Sequence, residues 1–515
     1  MKQILAVVIV LLLLCVSYSG CINQANQSNQ EKRELLTIGI EEGPHGFFPW
    51  IDSYDTSTLE INFNLFSSLV WFDNSFRLVP RLAKSWNNPD NRTWRFFLRQ
   101  DVTFHNGYPF TADDVKYTLD LIKENKSNVL RDLITDIEEV RIVDNHTVDI
   151  ETYHPCPVLL NKLAGIPIAS QRYQTETTKQ WPIGTGAYQL QEYVPDDHIT
   201  MIRFDHYVLG HPDIQKVVFK INHSSDALRN AFLSKNLDIL EHVALADVKT
   251  IVNTPGAILK KVSNPTVWYL GFDFREHSSA FPEQKNPLTD VRVREAMYHA
   301  INITRILALL PASAEPASQF LSPLIFGYNP EIKRLSYDLN LSRQLLREAG
   351  YEHGFNLTLD CPESWTTQFQ ISNEIAAQLS RILTIKINLL STDDYYAKLY
   401  SGNCSIYVLG WIPATGDGGE IFDYLLRSEQ DPLGRGSYNF GSYANQTVDQ
   451  FGQEVARTMY PKERKQLMQD GFKVAMDDVA CIPLYSSVCN IGIGNYIVWS
   501  PRSDLMTIVE EITVK

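Results

Sequence analysis

The sequence predicts a mixed α/β protein in which helices and short strands alternate along the chain. Three observations carry the prediction. Residues 93–99 alternate apolar and polar like a half-buried strand, residues 140–150 repeat that period around a turn, and stretches at 111–122, 290–301 and 339–349 carry the helical period with recognisable ends. No solenoid-like period is present, and at roughly 150 residues per domain a chain of 515 residues makes two to four domains.

Each element follows from its residues. Lys2 precedes Ile4–Val16, an unbroken apolar run of 13 residues. A membrane span needs about 20 such residues, so this run has the length of a signal-peptide core. Ser17-Tyr18-Ser19-Gly20-Cys21 then resembles a lipoprotein signal, with Tyr18 where an aliphatic residue is usual. On that reading residues 1–20 are removed and Cys21 is lipidated; a plain secretory signal or an uncleaved anchor is the competing reading. Residues 21–34 form a tether, since 22–34 are almost wholly polar and cannot bury a face. In Thr93–Arg99, Trp94, Phe96 and Leu98 share one face, with Arg95 and Arg99 on the other. Asn106-Gly107 marks a turn, and Thr111 with Asp114 opens a helix that stacks Val115, Leu119 and Ile122. Val140 and Ile142 face Val148 and Ile150 across Asp144-Asn145. Asp290 starts a helix with Val293, Ala296, Met297, Ala300 and Ile301 on its apolar stripe. The helix from about Leu339 to Ala349 stops at Gly350, and a strand at Phe355–Leu359 follows directly.

Composition narrows the function classes. With 46 Lys and Arg against 60 Asp and Glu, a net charge of −14 and no basic stripe argue against a nucleic-acid partner, because phosphate contacts need clustered cations. The aromatic supply, 24 Tyr, 24 Phe and 9 Trp, suits a large core or an aromatic-lined pocket equally. Cys156, Cys361, Cys404, Cys481 and Cys489 contain no CxxC pair, so one or two structural bridges plus a spare thiol is the expectation for an exported protein. The chain has no phosphate loop, no His-Glu-x-x-His and no nucleophile elbow. Gly184-Thr-Gly186 and Gly492-Ile-Gly494 lack the strand-to-helix context of a dinucleotide site and read as turns. Asp417 and Glu420 are the most glycosidase-like acid pair, a role that their separation in space decides. No cofactor and no metal site are expected.

Seven segments in order carry a resemblance. They are Leu82-Ala-Lys-Ser-Trp86 with Trp94–Arg99 and Asp101–Val115, Pro182-Ile-Gly-Thr-Gly-Ala-Tyr188, Val291–Ile301, Leu345–Tyr351, Leu409-Gly-Trp411, Asn439–Asp449 and Ile482-Pro-Leu-Tyr485. Together they resemble the large extracytoplasmic solute-binding proteins of ABC transporters, family 5, which carry oligopeptides, dipeptides and nickel; Ala187 stands where the family usually has proline. The resemblance implies a two-lobed, type II periplasmic-binding-protein-like fold with an extra inserted domain. Carried over, lobe I comprises 35–62, 184–270 and 488–515, the inserted domain 63–183, and lobe II 271–487, with Tyr269–Phe274 and Ile482–Tyr485 as crossing strands. It further implies a monomer that is not an enzyme, lipid-anchored on the extracytoplasmic face of the membrane. Such a protein hands a small, peptide-like solute to a permease with ATPase subunits.

The resemblance also places the ligand. Trp411 matches a tryptophan that lines the family's pocket, with core packing as the alternative. Three residues later, peptide-binding members use an aspartate to hold the peptide's α-amino group, and here that position is Ala414. Asp417 or Glu420, from the same Gly-rich loop, would serve instead, unless the loop is a solvated surface. Glu42, after the first strand, is the candidate acid on the other lobe; Tyr438, Asn439 and Tyr485 are further pocket candidates by position. Arg427 and Arg435 read better as surface salt bridges than as partners of a ligand carboxylate. Two alternatives stay open: a nickel chelate or other non-peptide solute, which Ala414 favours, and a secreted hydrolase using Asp417 and Glu420.

Overall fold

Strand β1 (Leu35–Ile40) buries Leu36, Ile38 and Ile40. The computed structural model describes residues 34–49, 53, 55–176, 181–310, 314–428, 430 and 434–515, so the signal segment 1–20 and the Cys21 lipidation site lie outside the described residues. Helix α1 (Thr56–Leu65) starts at Asp55, whose carboxylate accepts from the Thr58 amide at 2.8 Å and satisfies one of the free N–H groups of the first turn.

Strands β2 (Ala83–Asn87), β3 (Thr93–Leu98), β4 (Ile137–Asp144) and β5 (Thr147–Thr152) form a four-stranded antiparallel sheet in the order β2-β3-β5-β4. Trp94, Phe96 and Leu98 are buried, as their alternation predicts, and Val140 and Ile142 pair with Ile150 and Val148. Helix α2 (Ala112–Glu124) has the expected capping box, the Thr111 amide donating to Asp114 at 2.8 Å, and Val115, Leu119 and Ile122 are buried against the sheet's core. A short helix α3 (Leu159–Ala164) follows.

An eleven-stranded sheet runs through the rest of the molecule. Its members include β6 (Tyr188–Val194), β7 (His198–Arg203), β8 (Lys216–Ile221), β9 (Ile239–Leu240) and β10 (Ala257–Phe272). Helices α4 (Val291–Ala300) and α5 (Leu339–Glu348) come next, and α5 ends before Gly350, which takes the left-handed conformation (φ 86°) of a helix stop. Then come β11 (Asn356–Pro362), α6 (Thr366–Leu379), β12 (Thr384–Leu390), β13 (Ile406–Trp411), α7 (Pro461–Asp477) and β14 (Ile482–Gly494). The strand order is β12-β11-β13-β10-β14-β9-β1-β8-β7-β6, and an eleventh strand, Ala314–Pro316, pairs with β14 off this path.

Two strands join the halves. Antiparallel partners β10 and β14 run from Ala257 opposite Gly494 to Leu270 opposite Ile482, with a register shift between Ser263 and Val267. One end of this pair borders β9, and the other borders β13. One core gathers β1, the four-stranded sheet and β6–β8; the cores built on Val293, Leu359 and Ile375 and on Leu409, Phe422 and Phe472 are separate from it. The ladder between β10 and β14 is interrupted at Asn264-Pro265-Thr266, a few residues upstream of Tyr269–Phe274. The lysines of Leu259-Lys260-Lys261 hide a strand that continues on the far side of this interruption, and proline is tolerated at 265 because the ladder is broken there.

The expected disulfides are not formed. Cys156, Cys361, Cys404, Cys481 and Cys489 are all free thiols. Four of them are buried and Cys489 is half-buried; burial pushes the Cys156 and Cys404 thiols up to about 12.

Candidate functional site

β13 ends at Trp411 and gives way to Ile412-Pro-Ala-Thr-Gly-Asp-Gly418, then to a helical turn Gly419–Ile421 that widens into the π-helical Phe422–Leu426. Such widened turns recur at functional sites. Half-buried Trp411 meets Tyr438 edge-on, with ring centroids 4.9 Å apart, and lies 6.0 Å from Tyr424. Tyr438 in turn contacts Phe440 and the exposed Tyr400. The Trp411 indole N–H is buried with no hydrogen-bond partner among the described residues, and Ile412 and Ala414 beside it are exposed. An aromatic surface with an open edge results.

The two acids of the loop have different fates. Asp417 is 3% exposed, and Arg464 of α7 grips both its oxygens at 2.5 and 2.8 Å while the Gly419 amide donates to it at 2.8 Å. Arg464 is itself buried and donates to the Val455 carbonyl. A buried carboxylate saturated in this way holds the loop to α7 and has no free face for a ligand. Glu420 instead folds back over the loop. Its carboxylate accepts from the Ala414 amide at 3.2 Å, the Thr415 amide at 3.1 Å and the Thr415 hydroxyl at 2.9 Å. No cation is among those partners, and burial pushes Glu420 up to about 7. Asp417 and Glu420 are therefore no free acid pair of the kind a glycosidase needs.

The remaining candidates separate. Tyr485 is buried and stacked on Trp268 at 6.2 Å, and the Trp268 indole N–H donates to the Ser487 hydroxyl at 3.1 Å. Trp268 pairs with Gly410 and Val267 with Trp411, so Trp268 and Tyr485 occupy the face of the sheet opposite Trp411. Asn439 spends its amide on the loop. It donates to the Arg427 and Tyr443 carbonyls at 2.9 and 2.8 Å and accepts from the Tyr443 amide at 2.8 Å. Glu42 lies in the other half, exposed after β1 and bonded to His45 at 3.2 Å; none of its described contacts reaches the Trp411 group. Arg427 approaches Asp423 at 4.0 Å.

The structure thus brings Trp411, Tyr438 and Glu420 together. It adds Tyr424 and Tyr400, which sequence reasoning missed. Tyr424 follows Glu420 by four residues, a spacing that shares a helical face and was the available signal; nothing local marks Tyr400. Among the described residues, no group of three or more His, Cys, Asp and Glu side chains is arranged to hold a metal ion, and no helix is long and apolar enough to cross a membrane. A cavity of about 790 Å³ beside Trp71, Lys260 and Trp499 is away from these residues, whose aromatic surface is open on one side.

Comparison with known proteins gives the chain its relatives. The sequence profile of the bacterial extracellular solute-binding proteins, family 5 (middle region), matches residues 77–432. The dipeptide-binding protein of Escherichia coli K12 is 26% identical over 489 residues, covering 87% of this chain and 88% of that protein. Among solved structures, HbpA2 from Haemophilus parasuis superposes with a TM-score of 0.83 at 20% identity, covering 93% of this chain and all of the other. The periplasmic murein tripeptide-binding protein MppA, in its unliganded open form, gives 0.82 at 21% identity, covering 94% and 97%.

Proposed function

Because this chain belongs to the bacterial extracellular solute-binding proteins of family 5 and has their two-lobed periplasmic-binding-protein fold, we propose that it is the substrate-binding lipoprotein of an ABC importer. It captures a peptide-like small solute by lobe closure and delivers it to the permease and its ATPase subunits. The lobes and the insertion follow the divisions 35–62, 184–270 and 488–515; 63–183; and 271–487. The interrupted pairing at Asn264-Pro265-Thr266 supports a hinge between them, since it is where the two joining strands are least tied. Cys21 and its tether hold the monomer at the outer face of the membrane.

The carrying observation is Glu420 turned onto the Ala414 backbone beside the open aromatic surface of Trp411 and Tyr438. An ammonium drawn into a closing cleft needs a charge partner, because its desolvation alone costs several kcal/mol. Glu420 brings a carboxylate to the position whose own side chain is only a methyl group. An ammonium beside it favours the ionised form and drives its proton off. The aromatic rings offer faces to an apolar side chain. The names of the dipeptide-binding and murein tripeptide-binding relatives support the same solute class.

Uptake of radiolabelled di- and tripeptides is the test. Deleting the gene abolishes uptake of the peptides that the purified protein binds; unchanged uptake of every one of them overturns the reading. Ala414 itself favours a second reading, a nickel chelate or other non-peptide solute. A thermal-shift screen of peptides against metal chelates separates the two.

A further inference from the structure

The loop that carries Glu420 rests on a part of the molecule outside its own core. Asn161, on α3, donates its side-chain amide to the Thr415 carbonyl at 2.8 Å. Thr415 is buried, and each of its polar groups is committed: the carbonyl to Asn161, the amide and hydroxyl to Glu420. Next to it, Gly416 takes a positive φ of 65°, and a Cβ there would come within 3.0 Å of the Phe76 ring. Charge continues the seam. Lys162, the neighbour of Asn161, is bonded to Asp136 at 2.5 Å and interacts with Tyr424 and Asp423, while Arg435 interacts with Asp136 and Asp423. Residues 76, 136, 161 and 162 come from the segment 63–183; residues 415, 416, 423, 424 and 435 come from 271–487.

We propose that Asn161 is a positioning residue for the solute site: through Thr415 it fixes the Glu420 carboxylate, so that the inserted segment sets the affinity for an ammonium-bearing solute without touching it. Among the described residues, the Asn161–Thr415 hydrogen bond links α3 to the residue that holds the acid. The proposal rests on reading Glu420 as the ammonium partner.

Asn161→Ala removes the donor, Asn161→Asp sets a carboxylate against the Thr415 carbonyl, and Asn161→Gln keeps a donor. Hydrogen exchange over residues 412–420 of the unliganded protein needs no solute. It is expected to speed up by about 2- to 10-fold in Asn161→Ala, as for loss of one hydrogen bond, with β11 unchanged. Dipeptide affinity is expected to fall by a similar factor in Asn161→Ala, further in Asn161→Asp, and to recover in Asn161→Gln. The affinity loss should come with a shifted pH midpoint of binding and an unmoved Tm. Native exchange rates over 412–420 in Asn161→Ala overturn the proposal. If the native protein binds no dipeptide at all, the functional reading fails, and the exchange result still decides the role of Asn161.

Discussion

Asp417 and Glu420 lie three residues apart in one loop, and both are largely withdrawn from water, yet they solve that problem in opposite ways. Asp417 has a buried arginine on both oxygens. Glu420 has only neutral donors, and burial raises its affinity for a proton. A carboxylate with a permanent cation is part of the scaffold, whereas one without is the group to which the proposed function assigns the solute's cation. Sequence position alone does not distinguish them, because the deciding partner, Arg464, is 47 residues away in the chain.

The largest effect that sharpens this contrast is on the paired side. Arg464→Leu leaves Asp417 buried without its cation, and unfolding free energy by urea denaturation should drop by about 3–5 kcal/mol. Asp417→Asn, which keeps shape and removes the charge, should alter peptide affinity little; a large affinity loss in a normally stable Asp417→Asn would return that acid to the site.

A third carboxylate arrangement extends the comparison. Glu60 and Glu241 are neighbouring carboxyl groups in the first half, with Glu60 2% exposed and accepting from the Thr507 amide at 2.5 Å. Burial first, and the neighbouring carboxylate second, raise Glu60 well above the ordinary glutamate range, and burial raises Glu241 as well. A folded-state pKa above the unfolded one gives stability that is present in full below the unfolded value and is lost as pH rises through the folded value. Stability should therefore decline from about pH 4.5 through pH 7, by on the order of 2–3 kcal/mol, and Glu241→Gln should flatten that decline. Denaturation midpoints at a series of pH values check it.

Smaller effects belong to the proposed solute site. Glu420→Gln should weaken binding of a free-amino dipeptide by about 10- to 100-fold, the worth of a charged hydrogen bond, and Trp411→Ala by about 10-fold. Calorimetric titration reads both. Tyr485→Phe, on the opposite face of the sheet, should change affinity by less than about 2-fold; an effect equal to that of Trp411→Ala would place Tyr485 in the pocket after all.

The elements that proved legible are those whose signals are local. The strand at Trp94, the capping box of α2, the Asp290 start of α4 and the Gly350 stop of α5 each depend on residues within one turn or one pleat. The full extent of β10 was less legible, since Lys260 and Lys261 interrupt the apolar run of a strand of 16 residues. The grouping of the candidate residues was legible in part. Trp411, Tyr438 and Glu420 converge, but Tyr485 falls on the far face through strand register, Asn439 is consumed by backbone carbonyls, and Asp417 is claimed by Arg464. Register and long-range pairing decide these cases, and neither leaves a mark in the local sequence.

One measurement bears directly on the poised carboxylate. Calorimetric titration at pH 7 with a dipeptide series found by thermal shift, each in free-amino and N-acetylated form, asks whether the solute's ammonium is what Glu420 recognises. The free-amino forms are expected to bind about 10- to 100-fold more tightly than the acetylated forms, with the gap closing in Glu420→Gln. Equal binding of the two forms by the native protein would contradict that recognition.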